Sequence, residues 1–178
     1  MDDTESTAAL VVAARAGAGA AMARLYRRFA PVVHGILLSY VAPADADDLT
    51  QDAFETAMQR LPALHDPAAF PGWIASIARR MALDAKRRRP PLAEAEIERL
   101  PDTADVEARF DAERALRAIR GLPAAYRETL LLRLAEGLTG PEIAARTGLS
   151  AGSVRVNLHR GMALLRAALA VTARGDGT

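Results

Sequence analysis

A cluster of side chains near the C-terminal end of the chain has the types and the spacing needed to read DNA bases. At about 100° per residue, one side of a helix carries Arg155, Val156, His159 and Arg160. Apolar residues at helical spacing occupy the opposite side. Arginine can donate two hydrogen bonds to a guanine edge, and valine can contact a thymine methyl group. The pattern therefore predicts a helix that enters the major groove.

The residues before this helix follow the order of a helix-turn-helix. Thr139 and Glu142 form a capping box and Pro141 suits a first turn, so a short helix is predicted to begin there. Gly148 stands where a left-handed cap would end that helix, and Ser150 is placed to cap the next one. The same pattern also occurs in helices that only pack in a bundle, where the arginines are ordinary solvated charges.

Length and composition limit the protein to a small helical architecture. The 178 residues suffice for one large or two small domains. Alanine inflates the 51% hydrophobic content while aromatic residues contribute only 4%, so an all-α fold is predicted. The chain has no cysteine and its three histidines are scattered, so neither a metal nor a cofactor is expected. Because no signal segment or membrane-spanning run is found, we expect a cytoplasmic protein without membrane insertion.

Charges of opposite sign are segregated along the chain, although the formal net charge is only +1. Acidic residues crowd 45–55 and basic residues crowd 79–89, whereas 90–107 is acidic and contains prolines, as a linker does. Each run taken singly is typical of a solvated helix face. Their order instead predicts one surface for a basic protein and two for nucleic acid. Two domains joined by a flexible linker are therefore predicted, mobile relative to each other unless they dock directly.

The first domain divides into amphipathic helices. An apolar stripe runs over 22–37, where Pro31 is expected to bend or break the helix. The next helix is predicted over 46–61, with Asp45 at its start. A loop is predicted over 65–71. The helix that follows, over 72–89, carries arginines on the side opposite its apolar stripe, as a helix lying along a nucleic-acid backbone would.

Three blocks of the sequence resemble the extracytoplasmic-function sigma factors, the small promoter-specificity subunits of bacterial RNA polymerase. The blocks are DADDLTQDAF at 45–54, AFPGWIASIARRMALDAKRRR at 69–89 and LPAAYRETLLLRLAEGLTGPEIAARTGLSAGSVRVNLHRG at 122–161. They follow the family's order, with its linker between the second and the third. The resemblance implies a sigma region 2 bundle over 8–89, a linker over 90–107 and a sigma region 4 helix-turn-helix domain over 108–172.

The same resemblance implies an alternative sigma factor that binds core RNA polymerase, recognises promoter DNA and promotes strand opening. The implied polymerase-binding residues are Asp45, Asp48, Leu49, Gln51 and Asp52. The residues implied near DNA in the melting element are Arg79, Arg80, Asp84, Lys86 and Arg87. The residues implied at the upstream promoter element are Ser153, Arg155, Val156, Asn157, His159 and Arg160. The 65–71 loop resembles the one that captures a flipped base, and an anti-sigma factor is an implied partner.

Several positions depart from the family's pattern. Arg80 stands where asparagine is usual, Asn157 where arginine is common, and Met162 where another arginine often follows. Val156 replaces a small polar residue. These departures concern the promoter sequence more than the activity. Asn157 projects to the flank of its helix, where we expect it to contact a phosphate.

Other functional classes are weighed against this interpretation. No nucleophile with its base, no phosphate-cradling glycine loop and no paired carboxylates are found, so an enzyme is not predicted. A dimeric helix-turn-helix transcription regulator would need an apolar dimer surface but not the 45–54 block. A sigma-mimicking module that sequesters an anti-sigma factor would keep the helices and lose the basic faces, which the 79–89 run argues against. Run-off transcription with core polymerase separates the three.

Overall fold

A computed structural model of the chain describes the backbone of residues 5–88 and 106–175, and the side chains of 5–88 and 112–170. Over these ranges the regular structure is helical without strands, which confirms the all-α prediction. The helices are α1 (Thr7–Arg15), α2 (Gly19–Leu38), α3 (Pro43–Arg60), α4 (Phe70–Arg88), α5 (Val106–Arg120), α6 (Ala124–Leu134), α7 (Gly140–Thr147) and α8 (Ala151–Gly175). The predicted linker lies outside the described residues, except that its last positions, 106 and 107, begin α5.

Helix α2 is the centre of the first bundle and packs against α1, α3 and α4. Most of its apolar stripe is buried, with Leu25 and Ile36 at 0% exposure, whereas Tyr26 is 41% exposed. Phe29 of α2 and Phe70 of α4 pack edge to face, with ring centroids 5.1 Å apart. This core fixes α3, which carries the acidic residues, and α4, which carries the basic ones.

Of the bend or break predicted at Pro31, the break is wrong, because α2 runs unbroken from Gly19 to Leu38. A proline inside a helix lacks one N–H donor and crowds a carbonyl one turn earlier, at a cost of about 3 kcal/mol. Here the residues around it, including Phe29 and Val33, are buried on both sides. Their burial outweighs the local cost.

The predicted helix starts in this bundle are also late. Helix α3 begins at Pro43 rather than at Ala46, because a proline at the first helical position follows the extended Ala42. Helix α4 begins at Phe70, two positions before the predicted start, so the 65–71 loop is shorter than expected. Short 3₁₀ turns over 61–63 and 67–69 occupy much of this connection.

The second bundle confirms the helix-turn-helix in detail. Thr139 Oγ1 accepts a hydrogen bond from the Glu142 amide, and the Glu142 carboxylate accepts one from the Thr139 amide over 2.8 Å. Gly148 ends α7 with a φ of 77°, in the left-handed region that favours glycine. The Ser150 hydroxyl then accepts from the Ser153 amide over 3.1 Å and caps α8.

The two bundles dock directly on each other. Helix α2 packs against α6 and α7, and α4 packs against α7. Residues 127–132 of α6 are all buried, because one side of this helix faces α8 and the other faces the first bundle. The sequence predicted two domains that move relative to each other unless they dock directly. In this structure they dock directly.

Candidate functional site

The exposed face of α8 is the first candidate surface. The structure places Arg155, Val156, His159 and Arg160 together, all exposed. The opposite side of α8 packs on the second bundle, where Val154 is 1% exposed. Two arginine guanidinium groups and one histidine ring therefore lie on a helix whose orientation is fixed by its buried side, as base reading in the major groove requires.

A glycine that the sequence analysis passed over sets how closely α8 lies on α6. A Cβ added to Gly161 would stand 3.1 Å from Leu130 side-chain atoms and 3.2 Å from the Tyr126 Cβ. A larger residue would therefore require Leu130, Tyr126 or α8 itself to shift by a few tenths of an ångström. The sequence signal was available, because a glycine inside a long helical pattern is unfavourable unless packing requires it.

Two other residues predicted at the upstream element make contacts within the protein. Ser153 is exposed, and its hydroxyl lies 2.9 Å from the Ser150 hydroxyl at the start of α8. Asn157 is half-buried, and its Nδ2 lies 3.4 Å from Thr129 Oγ1 on α6. Asn157 is thus turned toward the bundle rather than outward to the flank. Its predicted contact with a phosphate stays a prediction.

The basic side of α4 is the second candidate surface. Arg80, Lys86 and Arg87 are exposed, and an ion pair of 2.6 Å joins Arg87 to Asp84 one turn away. Arg79 differs from them because its Nε donates to Glu128 Oε2 on α6 over 2.8 Å. The C-terminal half of α4 therefore exposes positive charge to a phosphate backbone at Arg80 and Lys86, whereas Arg87 is paired with Asp84 and Arg79 with Glu128.

The connection before α4 is largely open to solvent. His65, Asp66, Ala68 and Ala69 are exposed, and Asp66 stiffens the turn by accepting a hydrogen bond from the Ala68 amide over 2.9 Å. Phe70 at its end is buried in the core. A short, exposed segment anchored by a buried aromatic ring therefore leads into the first turn of α4.

The acidic side of α3 is the third candidate surface. Asp48, Gln51 and Asp52 are exposed, while Asp45 and Leu49 are half-buried. An open cleft of about 260 Å³ adjoins them and is lined by Val41, Asp45, Asp48, Leu49, Ala85 and Arg88. Ala85 and Arg88 come from the end of α4 and were not predicted at this surface. The walls of the cleft combine apolar side chains with two carboxylates and one guanidinium, which suits a partly apolar protein partner with polar groups of its own.

A polar cluster between the bundles was missed by sequence reasoning. Glu128 accepts hydrogen bonds from the Tyr40 hydroxyl over 3.1 Å and from Arg79, while the Arg127 guanidinium lies 4.3 Å from the centre of the Tyr40 ring. Burial, reinforced by the negative charge of Glu128, raises the pKa of the Tyr40 hydroxyl. The one signal in the sequence was the apolar run around Arg127 and Glu128, which indicates a helix buried on more than one side.

His34 and Arg120 also make polar contacts between the two bundles. His34 Nδ1 lies 2.6 Å from Glu136 Oε1, and its Nε2 lies 3.4 Å from Asp47 Oδ1. The hydrogen bond to Glu136 raises the pKa of His34 despite partial burial. The Arg120 guanidinium donates to the Leu38 carbonyl at the end of α2, and burial lowers the pKa of Arg120.

The described residues offer neither a metal-binding cluster nor a membrane-spanning helix. Their His, Asp and Glu side chains form no group of three or more that could hold a metal ion. None of the helices in the described ranges combines the length and the apolar character that a bilayer crossing needs.

Comparison with known proteins gives matches over both bundles. The chain matches the family "Sigma-70 region 2" over residues 25–90 and the family "Sigma-70, region 4" over residues 112–165. The "ECF RNA polymerase sigma factor RpoE" of Cereibacter sphaeroides is 36% identical over 155 residues, which cover 83% of this chain and 85% of the relative. The "Probable RNA polymerase sigma factor RfaY" of Xanthomonas campestris pv. campestris is 37% identical over 134 residues, 69% of this chain but only 34% of that relative.

A solved structure has a similar fold over nearly the whole chain. It is the "Structure of CnrH in complex with the cytosolic domain of CnrY", with a TM-score of 0.65 and 25% sequence identity. The match covers 94% of this chain and 99% of that one. The similarity therefore extends over both bundles.

Proposed function

Because the chain belongs to the extracytoplasmic-function sigma factors of RNA polymerase, we propose that it binds core polymerase and opens promoter DNA through the three surfaces described above. Helix α3 binds the polymerase with its acidic side. Helix α8 contacts the upstream promoter element. The loop before α4 and the basic side of α4 bind the opened strand.

The observation that carries this proposal is the separation of charge onto different helices of known orientation. The exposed residues of α3 at 48, 51 and 52 are acidic or amide, whereas the C-terminal half of α4 exposes arginine and lysine and the outer face of α8 exposes arginine. Acidic side chains repel phosphates, so α3 is the surface suited to protein, and the basic surfaces suit nucleic acid. The orientation of each helix is fixed by its buried side.

Strand opening follows from differential binding. Extracting a base from the stack costs a few kcal/mol, so the protein must bind the opened strand more tightly than the duplex. Positive charge on α4 attracts both forms, but an exposed loop can receive only an unstacked base. Binding energy from polymerase and from the upstream element supports the same step. Phosphodiester chemistry belongs to the polymerase, and the sigma factor itself performs none.

The proposal extends to location and control. The protein works where the polymerase works, in the cytoplasm. By likeness to CnrH, whose solved complex contains the cytosolic domain of CnrY, a separate protein binds this chain as an anti-sigma factor.

Run-off transcription with purified core polymerase tests the function. The template is a pool of promoters with randomised upstream and downstream elements, and sequencing of the transcripts identifies the elements used. We expect transcripts that depend on the chain and that disappear when Arg155 and Arg160 are both replaced by alanine. DNA binding without polymerase-dependent transcripts would support a helix-turn-helix regulator. If the chain gives neither polymerase-dependent transcripts nor DNA binding, the result would support a module that only captures another protein.

A further inference from the structure

Helix α1 packs against the connection 61–69 that precedes α4, although α1 lies outside the residues that match sigma region 2. Both 3₁₀ turns of this connection, 61–63 and 67–69, contact α1. The proposed function assigns the exposed part of the same connection to an unstacked base. The conformation that the connection offers to a base is therefore set in part by α1.

Helix α1 is itself fixed on the first bundle. Leu10 is 1% exposed and Val11 is fully buried. At the start of α1, the Arg28 guanidinium of α2 donates to the Glu5 carbonyl over 3.0 Å and to Thr7 Oγ1 over 3.2 Å. Because apolar burial holds one side of α1 and hydrogen bonds hold its start, the helix is a firm support for the connection.

Arg15, in the last turn of α1, makes a polar contact with the first of the two turns. Its Nε donates to the Leu61 carbonyl over 3.1 Å, at the point where α3 ends and the turn begins. The same carbonyl accepts a hydrogen bond from the Leu64 amide over 3.2 Å. Leu61 and Leu64 are buried, whereas residues 65–69 are mostly exposed. Arg15 therefore holds the turn from which the exposed segment departs.

The Arg15 guanidinium occupies this place at an energetic cost. Its Nη2 is buried and has no hydrogen-bond partner among the described residues, and a buried donor without a partner has lost its bonds to water. A cation near the C-terminal ends of α1 and α3 is favoured by both helix dipoles. The side chain is thus held by the helix ends and by the Leu61 carbonyl rather than by solvation.

We infer that Arg15 is a positioning residue for strand opening, which holds the connection 61–69, through the Leu61 carbonyl, in the conformation that receives an unstacked base. The inference rests on the function proposed for this connection. Arg15 acts on the base only through the backbone of the turn that it holds. A segment that already has its binding conformation loses less conformational entropy when a base enters, so it captures the base more strongly.

Two neutral variants of similar length isolate the hydrogen bond. Arg15→Gln places an amide nitrogen as many bonds from the backbone as the arginine Nε, so it can still donate to Leu61. Arg15→Met places a methyl group there and has no donor. Both variants remove the charge, so the difference between them measures the donor alone. Each should fold, because the Leu61 carbonyl keeps the Leu64 amide as a partner.

Amide hydrogen exchange of the free full-length protein measures the order of the turn without DNA. Relative to the wild type, exchange at Leu64 should rise about tenfold in Arg15→Met and less than about threefold in Arg15→Gln. Exchange at Ile36, in the buried part of α2, should be the same in all three proteins, which shows that global stability is kept. If Arg15→Met does not fold, Arg15→Ala replaces it, because alanine favours a helix and leaves room for water beside the carbonyl.

Run-off transcription with core polymerase measures the consequence for base capture. One template is a promoter that the wild type selects, and the other has its most strongly preferred downstream base replaced. A smaller amount of folded protein lowers both outputs equally, so their ratio reports capture alone. Only the first template gains from capture, in proportion to the fraction of molecules whose connection has the binding conformation. We expect the ratio to fall at least about threefold in Arg15→Met and to recover in Arg15→Gln.

Two results overturn the inference. Equal exchange at Leu64 in Arg15→Met and Arg15→Gln means that the hydrogen bond does not hold the turn. Faster exchange in Arg15→Met with an unchanged output ratio means that order in the connection does not govern base capture. Failure of the proposed function is recognised separately, in the wild type alone, by the absence of polymerase-dependent transcripts or of any preference at the downstream element.

Discussion

Replacing Arg155 or Arg160 by alanine is expected to relax the promoter preference at one base pair. Both side chains are exposed on α8, and the helix cannot roll away because Val154 on its other side is 1% exposed. A bidentate contact of arginine with guanine contributes about 1–3 kcal/mol of discrimination. At about 1.4 kcal/mol per factor of ten, the lost discrimination corresponds to roughly 5- to 150-fold at the position that the side chain reads.

Matched variants separate base reading from general attraction. Arg155→Lys keeps the positive charge but loses the planar fork, so it should lose most of the discrimination and retain the dependence of affinity on salt. Asn157→Ala tests the predicted phosphate contact. If Asn157 instead keeps the contact of its Nδ2 with Thr129 Oγ1, 3.4 Å away, this variant leaves the salt dependence unchanged. A decrease of about one in the slope of log affinity against log salt concentration would support the phosphate contact.

The assay is selection of upstream elements from a randomised pool, scored by transcription with core polymerase at several salt concentrations. The wild type should enrich a defined sequence, and each arginine variant should lose information at a single position. If Arg155→Ala and Arg160→Ala both keep the wild-type preference and output, α8 is not the promoter-reading helix. The reasoning from its exposed face would then be refuted.

Three further outcomes are expected. Asp48→Lys/Asp52→Lys should weaken core-polymerase binding by at least tenfold in a pull-down titration, because both carboxylates are exposed on α3. Helicity measured by circular dichroism should stay unchanged. Unchanged affinity would place the polymerase contact elsewhere. Docking of the two bundles should weaken as the pH rises, because the hydrogen bond to Glu136 raises the pKa of His34 in the docked form. The contribution of this contact is complete below about pH 6.5 and is lost as the pH passes the raised pKa. Energy transfer between dyes attached to the two bundles at Gln59→Cys and Ala167→Cys, followed from about pH 6 to 8, should show this loss, and His34→Gln should flatten the curve. Ile143→Ala, at a fully buried position of α7, should lower the free energy of unfolding of the second bundle by about 2–5 kcal/mol in a urea titration, whereas a loss under 1 kcal/mol would contradict its place in the core.

Local features of the structure were predictable from the sequence because they depend on residues a few positions apart. The Thr139 and Glu142 capping box, the left-handed Gly148 and the Ser150 cap were predicted and are confirmed. Each uses a side chain and a backbone group within one helical turn, so the sequence alone decides it. The exposed face of α8 followed from helical periodicity for the same reason.

The sequence-based prediction was wrong at Pro31 and at the first residues of two helices. It predicted a break at Pro31, but α2 continues because the residues on either side are buried against several helices. It predicted late starts for α3 and α4, since the prolines near their first turns signal a boundary without fixing the first helical residue.

Only the tertiary structure decided which groups meet across the two bundles. Arg79 and Glu128 are 49 residues apart and His34 and Glu136 are 102 apart, yet each pair is in hydrogen-bonding contact. No periodicity or cap links such distant positions, because their meeting depends on the docking of α2 and α4 against α6 and α7. The sequence therefore determined what each helix face offers, and docking decided which of those faces remain open.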